Sequence, residues 1–282
     1  MNNQQPSTYL QVPTSTIQAH GVSYAYREFG PKGGVPVVFL IHLAGTMDNW
    51  DPRIIDPIAR THHVITFSNR GVGATTGTVP DSIEGMADDA AAFIKALGYP
   101  KVDLYGFSLG GMIAQSLVLK HPELVRKLVL AGTGPAGGRG IEKIIGVTYY
   151  DVLRGSLTRQ DPKEFLFFNR NAAGKPAARA FINRLKERTT NQEAPVKLAA
   201  FQAQLKAIRR WGLSPSADLG AITQPTLIAN GDNDRMVPSV LSQDLHRRIP
   251  GSELIIYPDA GHGGIFQYHQ QFSAAVLEFL AR

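Results

Sequence analysis

The chain has 282 residues, 43% of them hydrophobic and 18% charged, the proportions of a soluble globular protein with room for one large core and an added subdomain. It has no cysteine, so disulfides and thiolate chemistry are excluded, and no apolar run approaches the ~20 residues that cross a bilayer. The net charge of +6 is uneven: Ala136 to Pro215 holds 15 Lys and Arg against 6 Asp and Glu, and the remainder 14 against 17.

Residues 1–8 are polar and lack the basic cluster and apolar stretch of a signal peptide, so they read as a frayed tail on a cytoplasmic protein. Residues 16–19 and 22–29, joined at His20-Gly21, predict a hairpin. Residues 35–41 are wholly apolar, as a central buried strand requires, and lead into the turn His42-Leu43-Ala44-Gly45-Thr46. A helix is expected near residues 50–60, then a buried strand over 63–67 ending at Asn69-Arg70-Gly71-Val72-Gly73. Asp81 or Ser82 caps a helix that reaches Leu97, and Gly98 ends it.

Next comes an apolar strand from Val102, an abrupt turn at Gly106-Phe107-Ser108-Leu109-Gly110, and a helix to about Lys120. Residues 127–131 are again a strand. Strand and helix alternate at parallel-sheet spacing, which predicts an α/β class. From Ile141 to about Gly212 the periodicity is helical without a convincing strand, with candidate helices at 164–168, 178–185 and 194–211. Alternation resumes with a strand at 226–230, a helix near 239–249, a strand at 252–257 and a last helix over 268–281. A helical insertion therefore follows the sixth strand.

The Gly-x-Ser-x-Gly turn forces its serine into a strained backbone and lifts the hydroxyl above the sheet, while the N–H of Leu109 stays free at a helix start. A serine hydroxyl becomes a good nucleophile only beside a base, which is best oriented by a carboxylate. Among eight histidines, His262 stands out: it lies in Asp259-Ala260-Gly261-His262-Gly263-Gly264, a flexible loop beyond a parallel strand, where such sheets place their chemistry. His20, His62, His63, His121, His246 and His269 read as surface or core residues, and His42 as an imidazole pinning its turn.

The carboxylate belongs after another strand, and residues 231–238 offer Asp232 and Asp234. Asp232, next to Gly231, reads as a turn former. The loop at 132–135 holds no acid. An oxyanion at the serine needs a second N–H, and the turn at His42 to Thr46 is placed to supply it.

On these motifs, in the order Ser, Asp, His, the chain resembles the α/β-hydrolase superfamily from about Ile17 to its C-terminus, most like the capped serine esterases and the cofactor-free haloperoxidase-like branch. The resemblance implies an α/β-hydrolase fold: a mostly parallel central sheet flanked by helices, with residues 1–136 and 215–282 as core and 137–214 as an inserted helical cap. It implies Ser108 as nucleophile, His262 as general base and then acid, Asp234 as orienting acid, and the N–H groups of Ala44 and Leu109 as the oxyanion hole. Two departures stand out: Leu43 occupies the usual glycine of the His-Gly turn and so competes with Ala44 as donor, and Asn69 replaces a frequent Asp.

A serine in the elbow argues against the epoxide hydrolases and haloalkane dehalogenases, which use Asp there. The expected function is hydrolysis of a small or medium carboxylic ester, or a related acyl bond, through an acyl-serine. The alternatives are perhydrolase, lactone or C–C bond chemistry, and a ligand receptor or scaffold on the same fold. The expected partner is a small acyl substrate, with no metal or organic cofactor, no nucleic acid and no membrane insertion; the sequence leaves a homodimer open. The basic insertion reads mainly as a solvated helical surface, and of its aromatic residues some are expected to line an apolar pocket and most to form its core.

Overall fold

A computed structural model describes residues 8–282; of the polar tail read at residues 1–8, only Thr8 lies inside them. The hairpin forms as expected from β1 (Ser15–Ala19) and β2 (Val22–Phe29). Then follow β3 (Val37–Leu40), helix α1 (Pro52–Ala59), β4 (Val64–Phe67), α2 (Ile83–Ala96), β5 (Val102–Phe107), α3 (Leu109–Lys120) and β6 (Val125–Ala131). Four helices come next without a strand among the described residues: α4 (Ile144–Thr158), α5 (Pro162–Phe167), α6 (Gly174–Leu185) and α7 (Leu198–Leu213). The chain ends with β7 (Thr226–Gly231), α8 (Ser239–Arg248), β8 (Glu253–Tyr257), α9 (Gly264–Gln267) and α10 (His269–Ala281).

The eight strands form one sheet in the order β1-β2-β4-β3-β5-β6-β7-β8, with the β1·β2 and β2·β4 pairings antiparallel and the others parallel. Helices cover both faces of the parallel part, so β3, β4, β5 and β7 are buried along their whole length. Each Val, Ile, Leu or Phe buried this way contributes about 1.5–3 kcal/mol. The pairs Leu40↔Gly106, Phe107↔Ala131 and Gly231↔Tyr257 align the carboxyl ends of five strands at one rim. Every loop with a candidate site residue leaves the sheet there.

Local chemistry sets the helix starts. Asp51 caps α1 by accepting from Arg53 N–H (2.9 Å), with Pro52 at the first helical position, and Ser82 caps α2 by accepting from Gly85 N–H (3.1 Å). The last predicted helix forms as α10, and a short helix the sequence did not mark, α9, precedes it, the two separated at Tyr268. Helix α4 is the element the sequence pattern did not single out. Its buried residues are Ile144, Thr148, Asp151 and Gly155, while Tyr149, Tyr150, Leu153 and Leu157 are exposed.

The helical insertion is tied to the sheet core by buried ionic contacts. Arg184 at the end of α6 meets the fully buried Asp51 carboxylate, with Nε at 2.9 and 3.0 Å and Nη2 at 2.7 Å. Glu193, before α7, accepts from Met47 N–H (2.7 Å), Ala74 N–H (3.2 Å) and both ways from the Ser68 hydroxyl (2.9 and 2.7 Å). Arg188 reaches back to the carbonyls of Tyr9 and Val12. No helix among the described residues is long and apolar enough to cross a membrane.

Because the Asp51 carboxylate has no solvent to turn to, Arg184→Met is expected to lower the unfolding free energy by about 3–5 kcal/mol, the usual cost of leaving one member of a buried ion pair alone. Urea melts measure it; a loss below about 1 kcal/mol would show that this pair does not tie the insertion down.

Candidate active site

Ser108 sits where β5 turns into α3, with φ 58° and ψ −117°, a backbone conformation that non-glycine residues rarely adopt. Its neighbours hold it there. Ser108 N–H donates to Ala131 C=O (2.9 Å), and its own C=O accepts from the Thr133 hydroxyl (2.9 Å). The tight crossing of α3 over the sheet requires bare backbone: a Cβ on Gly106 would lie 2.5 Å from Gly110 O, and one on Gly110 would lie 1.9 Å from Leu40 O.

The three side chains proposed from the sequence converge at this corner. Ser108 Oγ lies 2.9 Å from His262 Nε2, and His262 Nδ1 lies 2.7 Å from Asp234 Oδ2. Since the carboxylate can only accept, Nδ1 carries the hydrogen and Nε2 presents its lone pair to the serine hydroxyl. Asp234 Oδ1 accepts from Met236 N–H (2.8 Å) and Val237 N–H (2.9 Å), which fixes the carboxylate plane. The imidazole is 1% exposed and packs against the rings of Phe107 and Phe167, at 5.0 and 5.4 Å between centroids.

Asp232 does more than form its own turn. Its carboxylate accepts from Asp259 N–H (2.9 Å) and Ala260 N–H (3.1 Å), so it staples the loop that carries His262 to the loop that carries Asp234. A local reading of Asp beside Gly did not reveal that reach, since the partners lie 27 and 28 residues away.

The turn at residues 42–45 closes with Gly45 N–H donating to His42 C=O (3.1 Å), and Ala44 takes a positive φ of 56°. Both ends of the peptide between Leu43 and Ala44 are engaged. Leu43 C=O accepts from His42 Nδ1 (2.8 Å), so His42 does pin its turn, and Ala44 N–H donates to Gln204 Oε1 (2.8 Å). Gln204 comes from α7 and is fully buried. Thus Ala44, named from the sequence as a donor, spends its N–H on the insertion in this structure, while Leu43 N–H and Leu109 N–H make no hydrogen bond among the described residues. No sequence motif marks Gln204; it lies 160 residues from its partner.

Burial keeps His42 neutral, lowering its pKa to about 3, and its Nδ1–H···O=C bond leaves Nε2 as a buried acceptor with no partner among the described residues. A cavity of about 150 Å³ opens above Ser108, lined by His42, Leu43, Ala44 and His262 below and by Thr148, Val152, Leu166, Phe167 and Phe201 of the insertion above. The aromatic expectation divides: Phe167 and Phe201 line the cavity, Phe165, Phe168, Phe181 and Trp211 are core, and Tyr149 and Tyr150 are exposed. Of the insertion's basic side chains only Lys163 lines the cavity among the described residues, 3.4 Å from Asp161. No cluster of three or more His, Asp or Glu suited to a metal occurs among the described residues.

Comparison with known proteins bears on the fold that carries this geometry. The family model described as the alpha/beta hydrolase fold matches residues 35–267. The solved structure of an alpha/beta hydrolase fold protein from Chitinophaga pinensis superposes with a TM-score of 0.91 at 35% identity, covering 97% of this chain and 98% of that one. A Klebsiella pneumoniae enzyme named 2-hydroxy-6-oxononadienedioate/2-hydroxy-6-oxononatrienedioate hydrolase is 31% identical over 88% of each chain. A Mycobacterium tuberculosis protein provisionally named non-heme bromoperoxidase BpoC is 26% identical over 92% of this chain and 98% of its own.

Two outcomes follow from the turn. Gln204→Leu removes the acceptor of Ala44 N–H without changing the fold, so hydrogen exchange at Ala44 is expected to speed up by about tenfold or more, with a stability loss of about 1–3 kcal/mol for the orphaned amide; unchanged exchange at Ala44 would remove Gln204 from this role. His42 titrates at its ordinary 6.5 only when unfolded, so between pH 6.5 and about 3 the unfolded chain binds a proton that the folded one refuses. Stability therefore falls as pH falls through that window, and His42→Asn should flatten part of the decline in melting temperature; His62, His63 and His269, whose pKa values burial also lowers, contribute with the same sign.

Proposed function

This chain belongs to the α/β-hydrolase family, and from that premise we propose that it is a serine hydrolase cleaving a small or medium carboxylic ester, or a related acyl bond, through an acyl-serine intermediate. The observation that carries the reading is the relay Ser108–His262–Asp234, with hydrogen bonds of 2.9 and 2.7 Å.

Each atom has a task. His262 Nε2 takes the proton as Ser108 Oγ bonds to the acyl carbon, while Asp234 steadies the imidazolium through Nδ1–H. The resulting oxyanion is received by Leu109 N–H at the start of α3 and by the turn at residues 42–45. Of the two N–H groups that turn offers, Leu43 is the free one, and Ala44 joins only if Gln204 lets it go. Each such donor can be worth roughly 3 kcal/mol in the transition state. His262 next returns its proton to the leaving group. A water enters, gives its proton to Nε2 and attacks the acyl carbon; His262 then reprotonates Ser108 as the acid departs.

Residues 137–214 serve as the cap. Their helices roof the serine, keep water scarce around the oxyanion and leave a cavity that suits a group of about benzene size, since an apolar protein cavity of this volume accepts benzene. Relatives and structural neighbours bear names as varied as a bromoperoxidase, a carbamate hydrolase and an N-acyl homoserine lactone degrading enzyme. That variety fits one catalytic engine under different roofs, so for this chain too the cap decides which bond is cut.

Ser108→Ala should abolish labelling by a fluorophosphonate and lower ester turnover by at least about a thousandfold, with the melting temperature little changed. Covalent labelling that persists in the variant, or p-nitrophenyl acetate turnover equal to the parent's, would refute the assignment.

A further inference from the structure

Helix α4 places its polar side inward. Of its buried residues Ile144, Thr148, Asp151 and Gly155, two carry polar groups that must find partners away from water. Asp151 meets Arg235 Nη1 at 3.1 Å. Thr148 meets nothing: its hydroxyl is buried and without a partner among the described residues, and the residue is 2% exposed.

That isolation is not the habit of hydroxyls on this helix. Ser156 and Thr158 donate to the carbonyls four residues back, Val152 O at 3.1 Å and Arg154 O at 2.8 Å. Thr148 could do the same with Ile144 and does not. The residue lines the cavity above Ser108 instead, beside the apolar Val152, Leu166, Phe167, Phe201 and Met236, with Asp161, Pro162 and Lys163 also contributing to the lining. An uncharged polar group set among apolar side chains is the usual device for orienting a ligand.

We propose that Thr148 is a specificity-determining residue: its hydroxyl hydrogen-bonds an oxygen carried by the substrate a few bonds from the scissile carbonyl, so oxygen-bearing esters and lactones are preferred to their hydrocarbon counterparts. The proposal rests on the serine-hydrolase reading above and names the substrate class for that same site. A second group in the wall narrows the class. His42 Nε2, also buried and unpartnered, offers only a lone pair, so it can accept from a substrate hydroxyl but not from a carbonyl. Hydroxylated substrates therefore meet partners of both polarities in the cavity, and a plain alkyl chain meets neither.

The test uses isosteric ester pairs followed by acid release at constant pH. Methyl 3-hydroxybutanoate against methyl 3-methylbutanoate reads an oxygen on the acyl side; 2-hydroxyethyl acetate against propyl acetate reads one on the alcohol side. In at least one pair the wild-type kcat/KM is expected to favour the hydroxylated member by about tenfold or more, the scale of discrimination when a buried polar group would otherwise go unmatched. Thr148→Val, which keeps the shape and removes the hydroxyl, should bring that ratio to about one, and Thr148→Ser should restore it. Fluorophosphonate labelling of Ser108 and a thermal melt accompany each variant. Labelled, folded enzyme that prefers the hydrocarbon member of both pairs, hydrolyses no hydroxylated ester, or keeps its preference in Thr148→Val overturns the proposal. Absence of labelling in the wild type overturns the serine-hydrolase reading itself.

Discussion

The site depends on the close approach of α3 to the sheet. Because the backbone of Gly110 lies against Leu40 C=O with no room for a Cβ, the helix begins at the sheet surface, and the chain can reach it from β5 only through a residue with positive φ. Ser108 takes that conformation, which costs of order 1–3 kcal/mol, and the buried contacts of β5 and α3 offset it. The strained turn leaves the hydroxyl clear of the sheet, and Leu109 N–H at the helix start makes no hydrogen bond among the described residues. A relaxed turn would bury the one and satisfy the other.

The opposite wall is fixed from two directions. The peptide between Leu43 and Ala44 is held at its carbonyl by the core through His42 and at its amide by the insertion through Gln204. Core and insertion thus share control of one peptide plane beside Ser108. The contacts of Arg184, Arg188 and Glu193 hold the segment before α7, so Gln204 is presented from an anchored support. This arrangement couples the position of the roof to the N–H groups of the turn through a single carboxamide.

The core was legible in the sequence because parallel strands buried on both faces are written as continuous β-branched runs, and the bends that punctuate them use glycine, Asp and Ser at fixed offsets. Ser108 and His262 are legible because each sits in a loop directly after a parallel strand; the loop after β7 offers both Asp232 and Asp234, and the family resemblance is what points to Asp234. Helix α4 escaped notice for a physical reason: its inward face is Thr148, Asp151 and Gly155 and its outward face Tyr149, Tyr150, Leu153 and Leu157, the reverse of what hydrophobic periodicity assumes. Gln204 and the reach of Asp232 were hidden because a hydrogen bond between distant segments leaves no local pattern. The strand ends, the hairpin and the order of the site residues come from local chemistry; the roof comes from tertiary packing.

The insertion's positive charge has the same lesson in electrostatic form. Fifteen basic residues against six acidic ones could aim a field at an anionic ligand, although they read mainly as a solvated surface. In the fold many of them have other occupations: Arg184 neutralises Asp51, Arg188 approaches Asp48 at 3.7 Å, Lys206 and Arg210 meet Asp81, and Arg154 and Arg170 stack on Phe165 at 4.6 and 4.5 Å. Lys163, the cation that does reach the cavity, faces Asp161 and so adds little net field there. With charge largely neutralised at its edge and mostly apolar side chains inside, the cavity offers a ligand chiefly its shape and a few uncharged polar atoms. At such a wall contacts over a few ångströms dominate, and long-range attraction from the insertion's charge contributes little.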